Sequence, residues 1–212
     1  MQVQIFERSA GRRALNDMML DQSGFDLLFN KARSQNGWQA RSVSAAQLVQ
    51  LYDAAKMGPT SLNSSPARFV FVTSPEAKLL LADAVSDGNV EKTRTAPVIV
   101  VIGYSLDFPT RLPALFPHNP NVAALFDRKP DFVRDTAYRN STLQGAYLML
   151  AARAMGLDCV PMSGFNPEKV EQAFFPDSQV KVNFLCGIGY GDPTKVFPRS
   201  PRLSFEEACR VV

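Results

Sequence analysis

Pro97-Val98-Ile99-Val100-Val101-Ile102 is an unbroken apolar stretch in a sequence of 212 residues. A strand with one face in water alternates apolar and polar residues, whereas a strand covered on both faces is apolar throughout. The stretch therefore predicts a strand in the middle of a sheet, with other elements packed on both faces.

The remaining secondary structure is predicted around this strand. Strand patterns cover residues 68–73, 158–162 and 182–188. Helices are predicted over residues 25–34, 44–58, 75–85 and 140–155, with a short one after Asn166. The helix over 140–155 is apolar nearly all round, which predicts a central position. Because strands and helices alternate without a regular βαβ rhythm, we expect an α+β sandwich rather than a doubly wound sheet.

The chain length suits one compact domain with a sizeable core. We assign that domain to residues 25–212 and treat the weakly periodic residues 1–24 as a mobile N-terminal extension. Residues 104–135 contain five prolines and have no clean period. A segment this long inside a compact domain is typical of a lid or a binding loop.

Composition argues against several kinds of partner. The net charge is +3 and the basic residues are scattered, so nucleic acid is not expected. No apolar stretch is long enough to span a bilayer, so a membrane is not expected either. The first residues lack the apolar region of a secretory signal, and no C-x-x-C pair is present. We expect a cytoplasmic protein with reduced cysteines, buried as small hydrophobes, at Cys159, Cys186 and Cys209.

The sequence also excludes several kinds of active site. His118 is the only histidine, so no Ser-His-Asp triad, Cys-His pair or histidine-based metal site can form. We expect no metal. Gly187-Ile-Gly-Tyr-Gly191 resembles a dinucleotide fingerprint, but Asp192-Pro193 follows where that site needs a helix. These glycines are therefore interpreted as a strand exit.

An enzyme without conventional acid–base groups can rely on a cofactor such as a flavin, which carries the chemistry itself. The protein must then bind the phosphate of the flavin and form hydrogen bonds to the polar edge of its ring. It must also place a cation near atoms N1 and O2 of the flavin and present a backbone N–H to N5. Five segments offer such groups: residues 32–38, 58–69, 88–92, 160–165 and 199–207.

Six short sequence motifs (phrases) connect these segments to a known family. They are NGW (36–38), GPTSLNSSPAR (58–68), RNS (139–141), PMSGF (161–165), GYGD (189–192) and PRLSFEEAC (201–209). Through them the chain, from about residue 25 onward, resembles the FMN-dependent nitroreductase family, and within it the malonic semialdehyde reductase branch of pyrimidine degradation. The resemblance implies a nitroreductase-like α/β sandwich, with a central mixed sheet flanked by helices.

The same resemblance implies a domain-swapped homodimer with FMN at the subunit interface. It further implies ping-pong transfer, in which NADH or NADPH delivers hydride to flavin N5 and a small-molecule acceptor then receives it. No side chain is assigned a catalytic role, because the flavin carries the hydride.

Cofactor contacts are carried over by position, as what the resemblance implies. The phosphate would be bound by Arg33, Ser34 and Arg202, with Asn36 and Arg199 in the same segments. The ribityl chain and ring would be lined by Thr60, Ser61, Asn63 and Ser65. The pyrimidine edge would be contacted by Asn89 and Lys92. The ring would lie along Pro161, Met162, Ser163 and Gly164, with a backbone N–H near N5.

Three of these positions depart from the wider family. Asn36 stands where a second basic residue is usual, which leaves Lys92 as the main cation near N1 and O2. Ser65 replaces a common glutamine, and Ser163 replaces a common glutamate. Because Ser163 would act through its backbone, the N5 contact would be retained.

Each assignment has an ordinary structural alternative. Arg33 and Ser34 would suit a solvated helix end, and the residues of the 60–65 loop are common turn formers. Lys92 would suit an exposed surface, and Arg202 could pair locally with Glu206. Only the joint order of the phrases favours FMN.

Three functions are left open by the sequence. The first is reduction of a small carbonyl, malonic semialdehyde to 3-hydroxypropionate. The second is reduction of nitro compounds, quinones or enones, and the third is flavin binding without turnover. For an acceptor with a carboxylate, Arg111 is the first candidate contact, because Pro109 and Pro113 limit its backbone freedom. Further candidates are His118, Arg128, Arg134 and Arg139. The structural alternative for Arg111 is a solvated arginine on a mobile loop.

Overall fold

The computed structural model describes residues 19–212, and the chain divides into two compact units, Met1–Ala32 and Arg33–Val212. The first unit contains helix α1 (Gln22–Phe25), capped by the Asp21 carboxylate, and a π-helical turn (Asp26–Asn30). Hydrogen bonds from Asn30, Lys31 and Gln22 lower the pKa of Asp26 to about 2. The helix predicted over 25–34 therefore starts earlier and ends earlier. Most of the predicted extension, residues 1–18, lies outside the described residues.

The second unit is built on a four-stranded sheet. Its strands are β1 (Ala67–Val72), β2 (Val98–Ser105), β3 (Asp158–Met162) and β4 (Val180–Gly189), in the order β1-β2-β4-β3. All neighbouring strands are antiparallel. Among residues 19–212, parallel pairing is limited to a bridge between Ser34 and Cys159 on the outer side of β3. The predicted mixed character of the sheet is confined to that bridge.

Seven helices accompany this sheet in the described part of the second unit. They are α2 (Ala45–Ala55), α3 (Pro75–Ala82), α4 (Asp87–Thr95), α5 (Leu112–Leu115), α6 (Pro130–Ala154), α7 (Pro167–Phe174) and α8 (Phe205–Ala208). Short 3-10 turns lie at Ser61–Asn63, Phe108–Arg111, Val122–Phe126 and Pro193–Lys195.

Strand β2 organises the core as its composition predicts. Its residues from Val98 to Ile102 are fully buried. Val98, Val100 and Ile102 pack on one side with α2 and α6, whereas Ile99 and Val101 pack on the other with residues of α3 and α7. Because successive strand residues point to opposite faces, β2 joins two apolar layers. The α+β sandwich is confirmed.

The long helix α6 differs from its predicted form. It begins at Pro130 rather than near residue 140, and its buried face carries polar groups, including Asn140 and Gln144. Gln144 Oε1 accepts a hydrogen bond of 2.8 Å from the backbone N–H of Ala67, the first residue of β1. The other face leaves Tyr138, Leu143 and Tyr147 exposed. The helix is therefore not apolar all round, and its polar residues tie it to the sheet.

One helix was not predicted, and one further prediction needs correction. Residues 87–95 form helix α4, although the glycine and polar residues there gave no clear helical pattern. Cys159 and Cys186 are buried as expected, but Cys209 is exposed because it lies on the C-terminal segment.

Residues 104–135 are more ordered than their composition indicates. They form a separate apolar cluster of Phe108, Leu112, Val122 and Phe126, against Ala137 of α6. The segment is thus folded onto α6 as a cap with its own small core. In the described part of the chain, no helix is long and apolar enough to cross a membrane.

Replacing Gln144 tests the link between α6 and the sheet. Gln144→Leu preserves most of the volume but leaves the buried Ala67 N–H without an acceptor, which costs about 1–3 kcal/mol. The free energy of unfolding, from urea titration at fixed protein concentration, should fall by that amount. Exposed Gln50→Leu on α2 is the matched control and should change it by less than about 0.5 kcal/mol. Equal effects of the two variants would contradict the link.

Candidate functional site

The first candidate segment, residues 33–38, lies against the start of β3. Ser34 bridges Cys159, and the Gln35 N–H donates to the Cys159 carbonyl at 3.2 Å. The Arg33 guanidinium donates to the Phe197 carbonyl in the C-terminal segment. The chain then turns, so that Trp38 pairs with Gly191. Arg33, Ser34 and Asn36 are therefore held together at one end of β3.

The glycines of the 187–191 phrase have a packing role. A side chain at Gly187 would collide with Val160 and the Trp38 ring, and one at Gly189 would collide with Pro97 and crowd the same ring. One at Gly191 would collide with Gln35. Because these glycines have no side chains, the 33–38 segment can approach the end of β4 closely. This agrees with a strand exit rather than a dinucleotide fingerprint.

Two other candidate segments meet beyond the last residue of β3. The Gly164 carbonyl accepts from the Ser86 N–H at 2.9 Å and from Asn89 Nδ2 at 3.2 Å. Asn89 and Lys92 are three residues apart on α4 and hence share a helix face. A side chain at Gly164 would overlap Ser86. The close approach of α4 to the 161–164 segment thus depends on glycine.

The place where α4 meets the 161–164 segment has unpaired hydrogen-bond donors. Within residues 19–212, the N–H groups of Ser163 and Gly164 donate no hydrogen bond to the protein. Pro161 and Ser163 are exposed, while Met162 is buried and anchors the segment in the core. Two adjacent backbone donors are therefore available at the end of β3.

The loop before β1 is held in an unusual conformation. Leu62, Asn63 and Ser65 have φ of 55°, 51° and 41°, a left-handed backbone that non-glycine residues seldom adopt. Thr60 Oγ1 accepts from the Ser65 N–H at 3.1 Å. The Ser61 N–H donates to Asn140 Oδ1 at 2.8 Å. Such strain persists only where the surroundings fix it, and it is common at functional sites.

Sequence reasoning gave no role to the residues that brace these segments. Asn140 is almost fully buried and also donates to the Thr136 carbonyl, so its orientation toward Ser61 is fixed. The only sequence feature that pointed to Asn140 is its place in RNS, one of the phrases that carry the resemblance. Ser86, which contacts the Gly164 carbonyl through its own N–H, had no signal.

The loop and the cap are connected directly. Asn63 Nδ2 donates to the Leu115 carbonyl at the end of α5 at 2.8 Å. Arg111 lies just before that helix and is exposed, as is His118. The predicted ring contact Asn63 therefore also positions the cap that carries Arg111.

The register of the sheet relates the two groups of candidate residues. Met162 pairs with Leu185, Leu185 with Val101, and Val101 with Val70. With three strand spacings of about 4.8 Å, β1 and β3 lie roughly 14 Å apart at this level. Both the residues preceding β1 and those following β3 lie toward the same end of the sheet. One chain thus carries two separate groups of site residues, one on each edge strand.

The remaining predicted contacts lie on the C-terminal segment. Residues 197–212 are exposed throughout. The Arg202 guanidinium donates to the carbonyls of Ser200 and Pro201 in its own segment. Arg202 and Arg199 are thus carried by an arm that has no buried residue, and within one chain Arg202 is directed to its own backbone.

Contact with the Cys159 thiol and burial raise the pKa of Cys186 well above its usual value, so this thiol stays protonated at neutral pH. No group of histidine, cysteine and carboxylate side chains suited to a metal ion occurs among residues 19–212.

Comparisons with known proteins agree with this arrangement. The profile of the Nitroreductase family matches residues 31–190. "Putative NADH dehydrogenase/NAD(P)H nitroreductase HadB" of Ralstonia pickettii is 58% identical over 184 residues, which are 86% of this chain and 94% of the relative. A relative with the same description from Cupriavidus pinatubonensis is 56% identical over 188 residues, 88% of this chain and 96% of its own.

Solved structures share the fold. The ydfN protein of Bacillus subtilis superposes with a TM-score of 0.83 at 22% identity, over 91% of this chain and 100% of its own. A nitroreductase-type structure from Exiguobacterium sibiricum, in complex with FMN, has a TM-score of 0.76 at 20% identity, over 92% of this chain and 99% of its own. The predicted nitroreductase-like fold is confirmed, and the chain belongs to the nitroreductase family.

Proposed function

We propose that this protein is an oxidoreductase that holds FMN along β3 and uses it to pass hydride from NADH or NADPH to a small acceptor. The observation that carries the proposal is the order of the polar groups along the edge strand β3. The cation and hydroxyl of Arg33 and Ser34 lie at the start of β3, and the free N–H groups of Ser163 and Gly164 lie at its end. A phosphate at one end and a polar ring at the other would match this order.

The residues present fit the cofactor. When bound, FMN supplies the hydride-accepting and hydride-donating N5. Arg33, Ser34 and Asn36 would hold its phosphate, a task for which cations and hydroxyls are suited. The Ser163 and Gly164 N–H groups would orient the ring edge, and Asn89 and Lys92 would contact the pyrimidine end. Met162 would support the ring from the buried side of the strand, and the exposed Pro161 would lie along the ring.

A second chain would complete the site. The loop of Thr60, Ser61, Asn63 and Ser65 lies on the opposite edge strand, so the two groups of one chain are separated by the width of the sheet. The exposed face of α6 and the exposed C-terminal arm are surfaces that a partner could cover. These features support a homodimer in which each FMN contacts both chains, with Arg199 and Arg202 delivered by an exchanged arm.

For the acceptor, we propose malonic semialdehyde. One support is the resemblance that the phrases carry. The other is the position of Arg111 on the cap, which is joined to the 60–65 loop by the hydrogen bond from Asn63 to the Leu115 carbonyl. A carboxylate in a closed pocket requires a cation, because an unpaired buried anion is costly. The names of the relatives favour the alternative of a nitro compound as acceptor.

An acceptor screen tests the reaction. Purified protein should absorb as a flavoprotein, bleach with NADH or NADPH under anaerobic conditions, and recolour with its acceptor. Arg111→Ala should lower kcat/KM for malonic semialdehyde by about one to two decades, the equivalent of roughly 1.5–3 kcal/mol for a charge-assisted contact. Reduction of a neutral quinone should be unchanged.

Arg134→Ala is the matched control, since Arg134 is exposed and already paired with Asp131 and Asp135. Colourless protein would refute flavin binding. A flavin that bleaches but never recolours would support binding without turnover, and reaction with nitro compounds alone would refute the semialdehyde.

Lys92 should set the reduction potential. Its charge at the pyrimidine end would favour the reduced cofactor through Coulomb attraction, strengthened because Lys92 is half-buried. Lys92→Met should lower the potential by about 30 mV or more, or about 1.4 kcal/mol for two electrons. Spectroelectrochemistry measures it, with exposed Arg94→Met on the same helix as control. An unchanged or higher potential would remove Lys92 from the site.

The arm is tested by comparing two changes. Truncation after Pro198 should release FMN and shift the protein toward monomer in sedimentation. Arg202→Ala should leave the dimer intact and weaken FMN binding by about 1.5–3 kcal/mol, because one charge-assisted phosphate contact is lost. A truncated chain that stays dimeric and flavin-loaded would exclude the exchanged arm.

A further inference from the structure

A cleft of about 370 Å³ lies where β1 ends and β2 begins. Its walls are the segment from Gln39 to Val43, the residue Thr73 after β1, Lys78 of α3, and the segment from Thr95 to Pro97 before β2. Its volume lies in the range typical of small-molecule sites. None of the residues proposed to contact FMN lines it.

Lys78 supplies the first unusual feature of the cleft. It is partly buried, and desolvation lowers its pKa. Among residues 19–212 its ammonium group forms no ion pair or hydrogen bond. A partly buried cation without a counter-ion would be stabilised by an anion supplied from outside.

Arg41 supplies a second cation. Its guanidinium carbon lies 3.5 Å from the centre of the Tyr190 ring, over the aromatic face. A contact of this kind reduces the freedom of the side chain while its N–H groups stay available at the edges. Arg41 is thus preorganised to bind an oxyanion.

The other lining groups are compatible with an anion. The cleft contains no aspartate or glutamate, and its hydroxyls belong to Ser42, Thr73 and Thr95. The Thr95 hydroxyl already donates to the Glu91 carbonyl, so the hydroxyls that could donate to an anion are those of Ser42 and Thr73. Two cations without an acidic partner in the lining give the cleft a charge that a dianion would neutralise.

We propose that this cleft binds a small organic dianion, a phosphate monoester or a dicarboxylate, between Arg41 and Lys78. The cleft would be a second ligand site, independent of flavin chemistry. It lies next to the flavin segments along the chain, since residues 39–43 continue from Trp38 and Thr95 ends the helix that carries Asn89 and Lys92.

Isothermal titration calorimetry tests the site on the full chain. FMN is added in excess, so that no probe can enter the region proposed for the FMN phosphate. Glycerol 3-phosphate and succinate are the two probes, with acetate and glycerol as the monoanionic and neutral controls. We expect saturable binding of one dianion per chain, and the stronger of the two probes identifies the class.

Variants locate the binding. Lys78→Met and Arg41→Gln should each weaken the dianion at least tenfold, whereas Lys169→Met, an exposed lysine on α7, should leave its affinity unchanged. Thermal melting and FMN content of the variants verify that the fold is intact. Non-saturable binding, equal weakening by Lys169→Met, or acetate binding as tightly as the dianions would overturn the proposal.

Discussion

The burial of β2 on both faces is the constraint on which the rest of the molecule depends. A strand with no solvated face needs one helical layer above it and another below, and α2 with α6 and α3 with α7 provide them. It also has a strand on each side, β1 and β4, and β3 pairs with the far side of β4, so β1 and β3 are the two edges. Polar segments can approach the sheet only at those edges and at its ends, and the candidate site residues are found there.

This arrangement explains why the site residues are so distant from one another in sequence. Each segment is attached to an edge strand by a few specific hydrogen bonds: Asn140 to the loop before β1, and Asn89 and Ser86 to the residues after β3. The Asn140 brace is almost fully buried, so it is worth more than an exposed hydrogen bond and fixes the backbone of its loop. The chemistry is then left to the cofactor, and the protein contributes placement and charge.

Much of the fold could be predicted from local patterns. The range of β3 agrees with its prediction, and the two-sided burial of β2 was visible in its composition. Helix α4 was not predicted, because its glycine and charged residues have weak intrinsic helical preference and packing against the rest of the chain stabilises it. The start of α6 was missed because the prolines before it are also typical of loops, although proline suits a first helical turn.

The segments that form the site could be predicted from the sequence, but their arrangement in space could not. Local patterns identified the Asn63 loop and the Gly164 turn, yet the cap contact of Asn63 and the bracing by Asn140 depend on partners 52 and 79 residues away in sequence. The direction of Arg202 toward its own backbone could not be inferred either.

The packing of Trp38 against the glycines of β4 has an optical consequence. Trp38 is the only tryptophan in the sequence, and it is wedged where the 33–38 segment meets the end of the sheet. The ultraviolet emission of the protein at the red edge of excitation therefore originates from a single position, beside β4, which is paired with the strand that joins both apolar layers. Its lifetime and anisotropy report the integrity of that junction without any added label.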